Sequence, residues 1–197
     1  MSVIDELKIM AKNNNGIIRT KAAMESGISR AMLSKLTKEG ELLRIVQGQY
    51  IFPDDMEDEM LSLSYRSKYI VFSHESALFL HGISDRTPFE HTVTVPSSIK
   101  LSRGLSAMCK VYYVKQERHA LGKEMIETPM GNLVPVYDLE RTICDVIRSR
   151  NRIGEETLLA SLKAYARGSE KNLSRLETYA TAFGLTASVR QYLEVLL

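Results

Sequence analysis

Apolar positions recur at helical spacing along some stretches of this 197-residue chain and alternate along others, and the two periods divide it into elements. Val3, Leu7 and Met10, with Ile4 beside them, make one stripe, so residues 3–12 read as a helix that Asn13-Asn14-Asn15-Gly16 ends. Residues 16–52 read GIIRTKAAMESGISRAMLSKLTKEGELLRIVQGQYIF. Thr20 is placed to cap a short helix over residues 21–26, Gly27 supplies a tight turn, Ile28 enters the core and Ser29 caps a second helix. That helix covers residues 30–39 and stops at Gly40, a residue suited to the left-handed position after a helix. Residues 42–46 and 49–52, joined at Gln47-Gly48, predict a β-hairpin. Helix, turn, helix and hairpin in this order spell a winged helix-turn-helix, closed by Pro53.

The acidic run DDMEDEM opens the next segment. It predicts either a connecting helix over residues 54–66 with an acidic first turn, setting the angle between domains, or a disordered acidic linker over 54–59. Beyond it, residues 69–72, 92–95, 110–115, 125–128 and 133–137 are β-branched or alternating runs and read as strands. Pro129-Met130-Gly131-Asn132 turns the last pair. Ser73 caps a helix over residues 74–80 that His81-Gly82 closes, and Asp138 caps another over 139–148. Leu139, Ile143, Val146 and Ile147 form the buried stripe of the latter, which leaves Arg141 and Asp145 off it or at its edge. Helices over 155–167, 173–183 and 188–197 follow, with Leu158, Leu162 and Tyr165 in one core stripe and Leu176, Tyr179, Ala180 and Phe183 in the next. The fold class is therefore α+β: a winged helix-turn-helix domain (1–53), an acidic connecting segment (54–66) and a mixed α/β domain with a helical C-terminal tail (67–197).

The facing of the second helix bears on function. Leu33, Leu36 and Thr37 share one side, while Ala31, Lys35 and Lys38 fall opposite, with Arg30 and Ser34 on the flank. The free side is small, polar and basic, with no carboxylate before Glu39, which suits a helix approaching phosphates and base edges. Ser29, Arg30, Ala31, Ser34 and Lys35 are the candidates to read bases. Arg19, Thr20, Lys21, Lys38, Arg44, Gln47 and Gln49 are the candidates for phosphate or wing contacts. The overall charge of +2 excludes a histone-like polycation. Residues 1–53 carry a net +3, residues 54–60 a net −5 and the remainder a net +4, so two modestly basic segments flank an acidic joint. Cys109 and Cys144 stand far apart and read as buried apolar residues of a reduced, cytoplasmic protein. Neither a signal peptide nor a membrane-spanning run is evident.

Three blocks resemble a known family. GISRAMLSKLTKEGELLRIVQGQYIF resembles the N-terminal winged domain of AbiEi-type antitoxins, from bacterial abortive-infection toxin–antitoxin systems of type IV. SHESALFLHGI (residues 73–83) and VYDLERTICDVI (residues 136–147) resemble two blocks of the domain that follows it there. The resemblance implies a transcriptional autorepressor that binds inverted repeats in double-stranded operator DNA. It further implies that the second domain carries an antitoxin activity, opposing a nucleotidyltransferase-like toxin without forming a stable complex with it.

The chemistry of the remaining motifs agrees with a protein that is not an enzyme. His74-Glu75 begins like a zinc-binding HExxH, but position five is Leu78, and His81 lies about 10.5 Å further along a helix axis, too far to share a metal. Asp138 and Glu140 suit the start of a helix, and Arg141 and Asp145 are spaced as an i,i+4 ion pair. No phosphate-binding loop, nucleophile elbow or paired CxxC is present, and no metal or cofactor is implied. A second domain that senses a ligand, or a nuclease-like domain steered by the winged helix, are the alternatives. Arg148, Arg150, Arg152, Lys163, Arg167, Lys171, Arg175 and Arg190 can form a second cationic face touching DNA or RNA, or a solvated surface balanced by Glu155, Glu156, Glu170 and Glu177.

Overall fold

A computed structural model describes residues 2–84 and 86–193. The chain separates into two compact units, Met1–Ser62 and Leu63–Leu197, and it contains helices and two sheets.

The first unit opens with α1 (Val3–Asn13), whose start is fixed by a reciprocal cap. Asp5 N–H donates to Ser2 Oγ at 3.1 Å and Ser2 N–H to Asp5 Oδ2 at 3.0 Å. There follow β1 (Ile18–Arg19), α2 (Thr20–Glu25), α3 (Arg30–Lys38), β2 (Leu43–Val46) and β3 (Gln49–Ile51). The strands form an antiparallel sheet in the order β1-β3-β2. Gly27 adopts φ +87° in the turn between α2 and α3, and Ser29 Oγ accepts from Met32 N–H at 3.2 Å to cap α3. Gly40 (φ +80°) and Gly48 (φ +84°) take left-handed conformations after α3 and at the hairpin tip. Leu7, Ala11, Ile18, Ala23, Ile28, Leu33, Leu36, Leu42 and Tyr50 form the core. Thr20 does not cap α2: it lies inside the helix, Arg19 occupies the cap position, and Thr20 N–H bonds Gly48 O at 2.9 Å. Two residues are too short a run for alternation to reveal, so β1 leaves no periodic signal.

The acidic segment is helical only over α4 (Glu59–Ser64). Asp58 supplies the reason: its buried carboxylate accepts from Leu61 N–H at 3.0 Å, which fixes where the helix starts. Asp54 and Asp55 precede it in a turn.

The second unit contains β4 (Val71–Phe72), α5 (His74–Leu80), β5 (His91–Pro96), α6 (Arg103–Ser106), β6 (Cys109–Val114), α7 (Gln116–Ala120), β7 (Lys123–Glu127) and β8 (Leu133–Tyr137). Then come α8 (Leu139–Arg148), α9 (Glu155–Arg167), α10 (Leu173–Phe183) and α11 (Thr186–Leu193). The five-stranded sheet is mixed, in the order β6-β5-β4-β8-β7, with β5/β6 and β4/β8 parallel and β4/β5 and β7/β8 antiparallel. The helix expected over 188–197 begins earlier, at Thr186, and its last four expected positions lie outside the described residues. No described helix is long and apolar enough to cross a membrane.

At the centre of this unit lies α8. Every residue from Glu140 to Ile147 is buried, whereas the stripe reading left one side wet. Ile143, Val146 and Ile147 pack with Leu158, Leu162, Tyr165, Leu176 and Phe183 of α9 and α10. Arg141 and Asp145 are both fully buried, so the expectation that they sit off the core or at its edge is wrong.

Candidate nucleic-acid interface

The exposed face of α3 is assembled by its core contacts. Burial of Leu33 and Leu36 leaves Arg30, Ala31, Ser34, Lys35 and Lys38 exposed, with Thr37 partly covered. Thr37 Oγ1 donates to Leu33 O at 2.8 Å, so its hydroxyl is turned onto its own helix. Ser29 is exposed although its Oγ caps the helix. Lys35 approaches Glu39 at 3.7 Å, a solvent-exposed pair that restrains it weakly. Five basic or small side chains thus share one solvent-facing helix surface.

The flanking candidates divide. Lys21 is exposed on α2 beside Glu25, at 3.9 Å. Arg44 and Gln47 are exposed on the hairpin, where the β2/β3 register is broken by a bulge between Arg44 and Val46. Thr20 and Arg19 are half-buried, and Arg19 Nη2 reaches Asn14 Oδ1 at 3.5 Å. Gln49 is a correction: it is 4% exposed, and its Nε2 donates to Ser62 O at 2.9 Å. It ties the hairpin to the end of its own unit and is not presented at the surface.

In the second unit the eight cationic candidates do not stand alike. Lys163 and Arg167 are exposed on α9, and their side chains make no hydrogen bond or ion pair among the described residues. Arg150 and Arg152 are exposed; Arg152 lies over the Tyr112 ring at 4.2 Å. Arg190 is exposed on α11. The other three have partners within the fold, although Arg175 remains exposed. Arg148 Nη2 bonds Asp145 Oδ1 at 2.8 Å. Lys171 Nζ caps the end of α9 through Ala166 O and Gly168 O at 2.9 and 3.0 Å. Arg175 sits 3.8 Å from Asp138 and 3.6 Å from Glu140. Six of the eight candidates are therefore exposed, and Arg148 and Lys171 are only partly so.

Behind that surface is a polar network that pattern reading missed. Arg141 Nε donates to Asp145 Oδ2 at 3.0 Å, and its Nη1 reaches Arg118 O and Leu121 O at 2.5 and 2.9 Å. Its guanidinium lies 4.0 Å from the Tyr137 ring and 4.3 Å from that of Phe183. Burial pushes the Asp145 carboxyl up from its ordinary range, and the two guanidinium groups of Arg141 and Arg148 pull it back. The spacing Arg141, Asp145, Arg148 is the one signal that points to a shared carboxylate. His74 is buried too, with Nδ1 3.0 Å from Ser73 Oγ and Nε2 2.9 Å from Ser149 Oγ. Ser73 Oγ therefore serves the imidazole and not the first turn of α5. His81 Nε2 meets Tyr137 O at 2.8 Å and His119 Nε2 meets Tyr69 O at 2.9 Å. Cys109 and Cys144 are free and buried, and burial lifts their thiols to about 11 and about 12.

Residues 5–53 match the family model described as a transcriptional regulator, AbiEi antitoxin. Residues 69–197 match the model of the AbiEi antitoxin C-terminal domain. No curated protein matches the chain. The fold is similar to that in the crystal structure of the RV2827C protein from Mycobacterium tuberculosis, at 19% identity and a TM-score of 0.64, over 91% of this chain and 70% of that one. Two antitoxin models in tandem cover most of the sequence, and neither describes an enzyme. The chain belongs to the AbiEi antitoxin family.

Proposed function

We propose that the first unit is a winged helix-turn-helix that binds double-stranded operator DNA and represses its own toxin–antitoxin operon. In this reading α3 enters the major groove and the β2/β3 hairpin is the wing. The observation that carries it is the α3 surface: Arg30, Ala31, Ser34, Lys35 and Lys38 are exposed together while Leu33 and Leu36 anchor the helix from behind. Small side chains allow close approach, and the cations meet phosphates. The second unit acts as the antitoxin in the bacterial cytoplasm. It opposes a nucleotidyltransferase-like toxin of a type IV system without a stable complex, as the family resemblance implies. Its exposed cations, Arg150, Arg152, Lys163, Arg167, Arg175 and Arg190 among them, support a nucleic-acid-facing role for that unit.

The test is equilibrium binding of the full chain to its own promoter fragment over a range of salt. Neutralising four to six phosphates gives a slope of log K against log salt of about −4 to −5. Affinity that ignores both salt and sequence rejects the reading.

A further inference from the structure

The strand β7 lies at an edge of the five-stranded sheet, so among the described residues one side of its backbone has no neighbouring strand. Its partner on the other side, β8, fixes which groups point outward. Asp138 N–H bonds Gly122 O at 2.7 Å and Thr128 N–H bonds Asn132 O at 2.8 Å, in the register that pairs Lys123 with Tyr137 and Glu127 with Leu133. Backbone bonding alternates along an antiparallel strand. Gly122, Glu124, Ile126 and Thr128 therefore point toward β8, and the N–H and C=O groups of Lys123, Met125 and Glu127 point to the open edge. These outward groups make no other backbone hydrogen bond among the described residues.

The side chains of the same three residues share one face of the sheet. Lys123 and Glu127 are exposed, Met125 is 55% exposed, and Leu133, opposite Glu127 on that face, is 54% exposed. Charges on an edge strand ordinarily discourage pairing. Here their order reverses the argument. When β7 meets a second β7 antiparallel about a two-fold axis at Met125, Lys123 stands opposite Glu127 at both ends and the two Met125 side chains meet in the middle. All three pairs are of the hydrogen-bonded kind, with about two main-chain bonds each. A slip of two residues one way, which moves the axis to residue 124, sets Glu124 against its own copy. The opposite two-residue slip, which moves the axis to Ile126, sets Lys123 beyond the end of the facing strand.

We propose that β7 is a self-association edge, joining two copies of this chain by antiparallel β7–β7 pairing centred on Met125. The two sheets become one across the axis, and the exposed Met125 and Leu133 of each copy come to line a shared apolar strip.

Cysteine crosslinking of the full chain reads this geometry directly. Residues in a hydrogen-bonded antiparallel pair have Cα atoms about 5.5 Å apart, within disulfide range. Met125→Cys should therefore form an interchain disulfide under mild oxidation, against a low background because Cys109 and Cys144 are buried. Glu124→Cys, on the opposite face and out of register with its copy, should not. In sedimentation velocity the wild-type chain should dimerise with rising concentration. Glu127→Lys should weaken the dimer about tenfold, since it sets like charges opposite each other twice. Met125→Pro should abolish it, because the lost N–H points outward and no bond to β8 is removed. A chain that stays monomeric throughout overturns the proposal. So does a dimer that survives Met125→Pro, or equal crosslinking at positions 124 and 125.

Discussion

At the scale of single residues, His74 is under the most constraint. It is a non-glycine residue at φ +48°, at the first position of α5, a backbone conformation that is costly for a side chain of this size. What holds it is the ring: both nitrogens are hydrogen-bonded, and the imidazole stacks on Tyr112 at 3.6 Å between centroids. Burial, with the positive charges of Arg148, Lys110, Arg141 and Arg152, pushes its pKa well below the ordinary value. The folded chain therefore keeps the ring neutral while the unfolded chain takes up a proton near pH 6.5. Stability contributed by the neutral ring is present above that pH and falls as the pH drops below it, with a limiting slope of about 1.4 kcal/mol per pH unit. Burial lowers His119 in the same direction. Urea denaturation between pH 7 and 5 should thus show a loss of stability that His74→Gln reduces and does not abolish. An unchanged pH slope in that variant would contradict the assignment.

At the scale of elements, α3 separates two kinds of contact on the reading proposed for it. Arg30→Ala or Lys35→Ala should cost about 1–3 kcal/mol on the operator and relax sequence preference, as expected where a side chain meets a base edge. Lys21→Ala on α2 should weaken specific and non-specific DNA alike. Fluorescence anisotropy with operator and scrambled duplexes distinguishes them; unchanged affinity in folded Arg30→Ala and Lys35→Ala proteins removes both residues from the interface. Elements with explicit punctuation were the legible ones. The expected bounds of α8, α9 and α10 agree with those observed, because Asp138 caps the first and Gly168 and Gly184 stop the other two. The four- and five-residue helices α6 and α7 are shorter than any period can register. The interior of α8 was misread for a different reason. A stripe model assumes one wet face, and an i,i+4 arginine–aspartate pair resembles a surface ion pair until neighbouring helices cover it. Gln49 was misread because alternation along a hairpin says which residues share a face, but not that Ser62 will cover one of them.

At the scale of the whole molecule, the division into Met1–Ser62 and Leu63–Leu197 permits a test of where each activity resides. A fragment starting at residue 61 keeps the core built around α8 and should fold alone. It should lack operator binding yet still protect cells from the toxin, and the two proteins should not co-purify. Replacing Arg150, Arg152, Lys163 and Arg167 with neutral residues in the full chain, with Arg148 kept because it partners the buried Asp145, should weaken protection and leave operator binding intact. Toxin co-expression followed by pull-down decides this: protection by the first unit alone, or a stable complex, rejects the assignment. The burial of α8 has a consequence for how such a fragment breathes. Its amides are shielded by helices on its flanks, and Arg141 fastens it to the carbonyl groups of Arg118 and Leu121. No local fraying can expose it, so α8 should exchange its amide hydrogens for deuterium only when the entire unit opens, at the slowest rate in the chain. The amides of α11, at the end of the described chain, should exchange much sooner. The exchange rate of α8 is then a direct gauge of the global stability of the antitoxin unit.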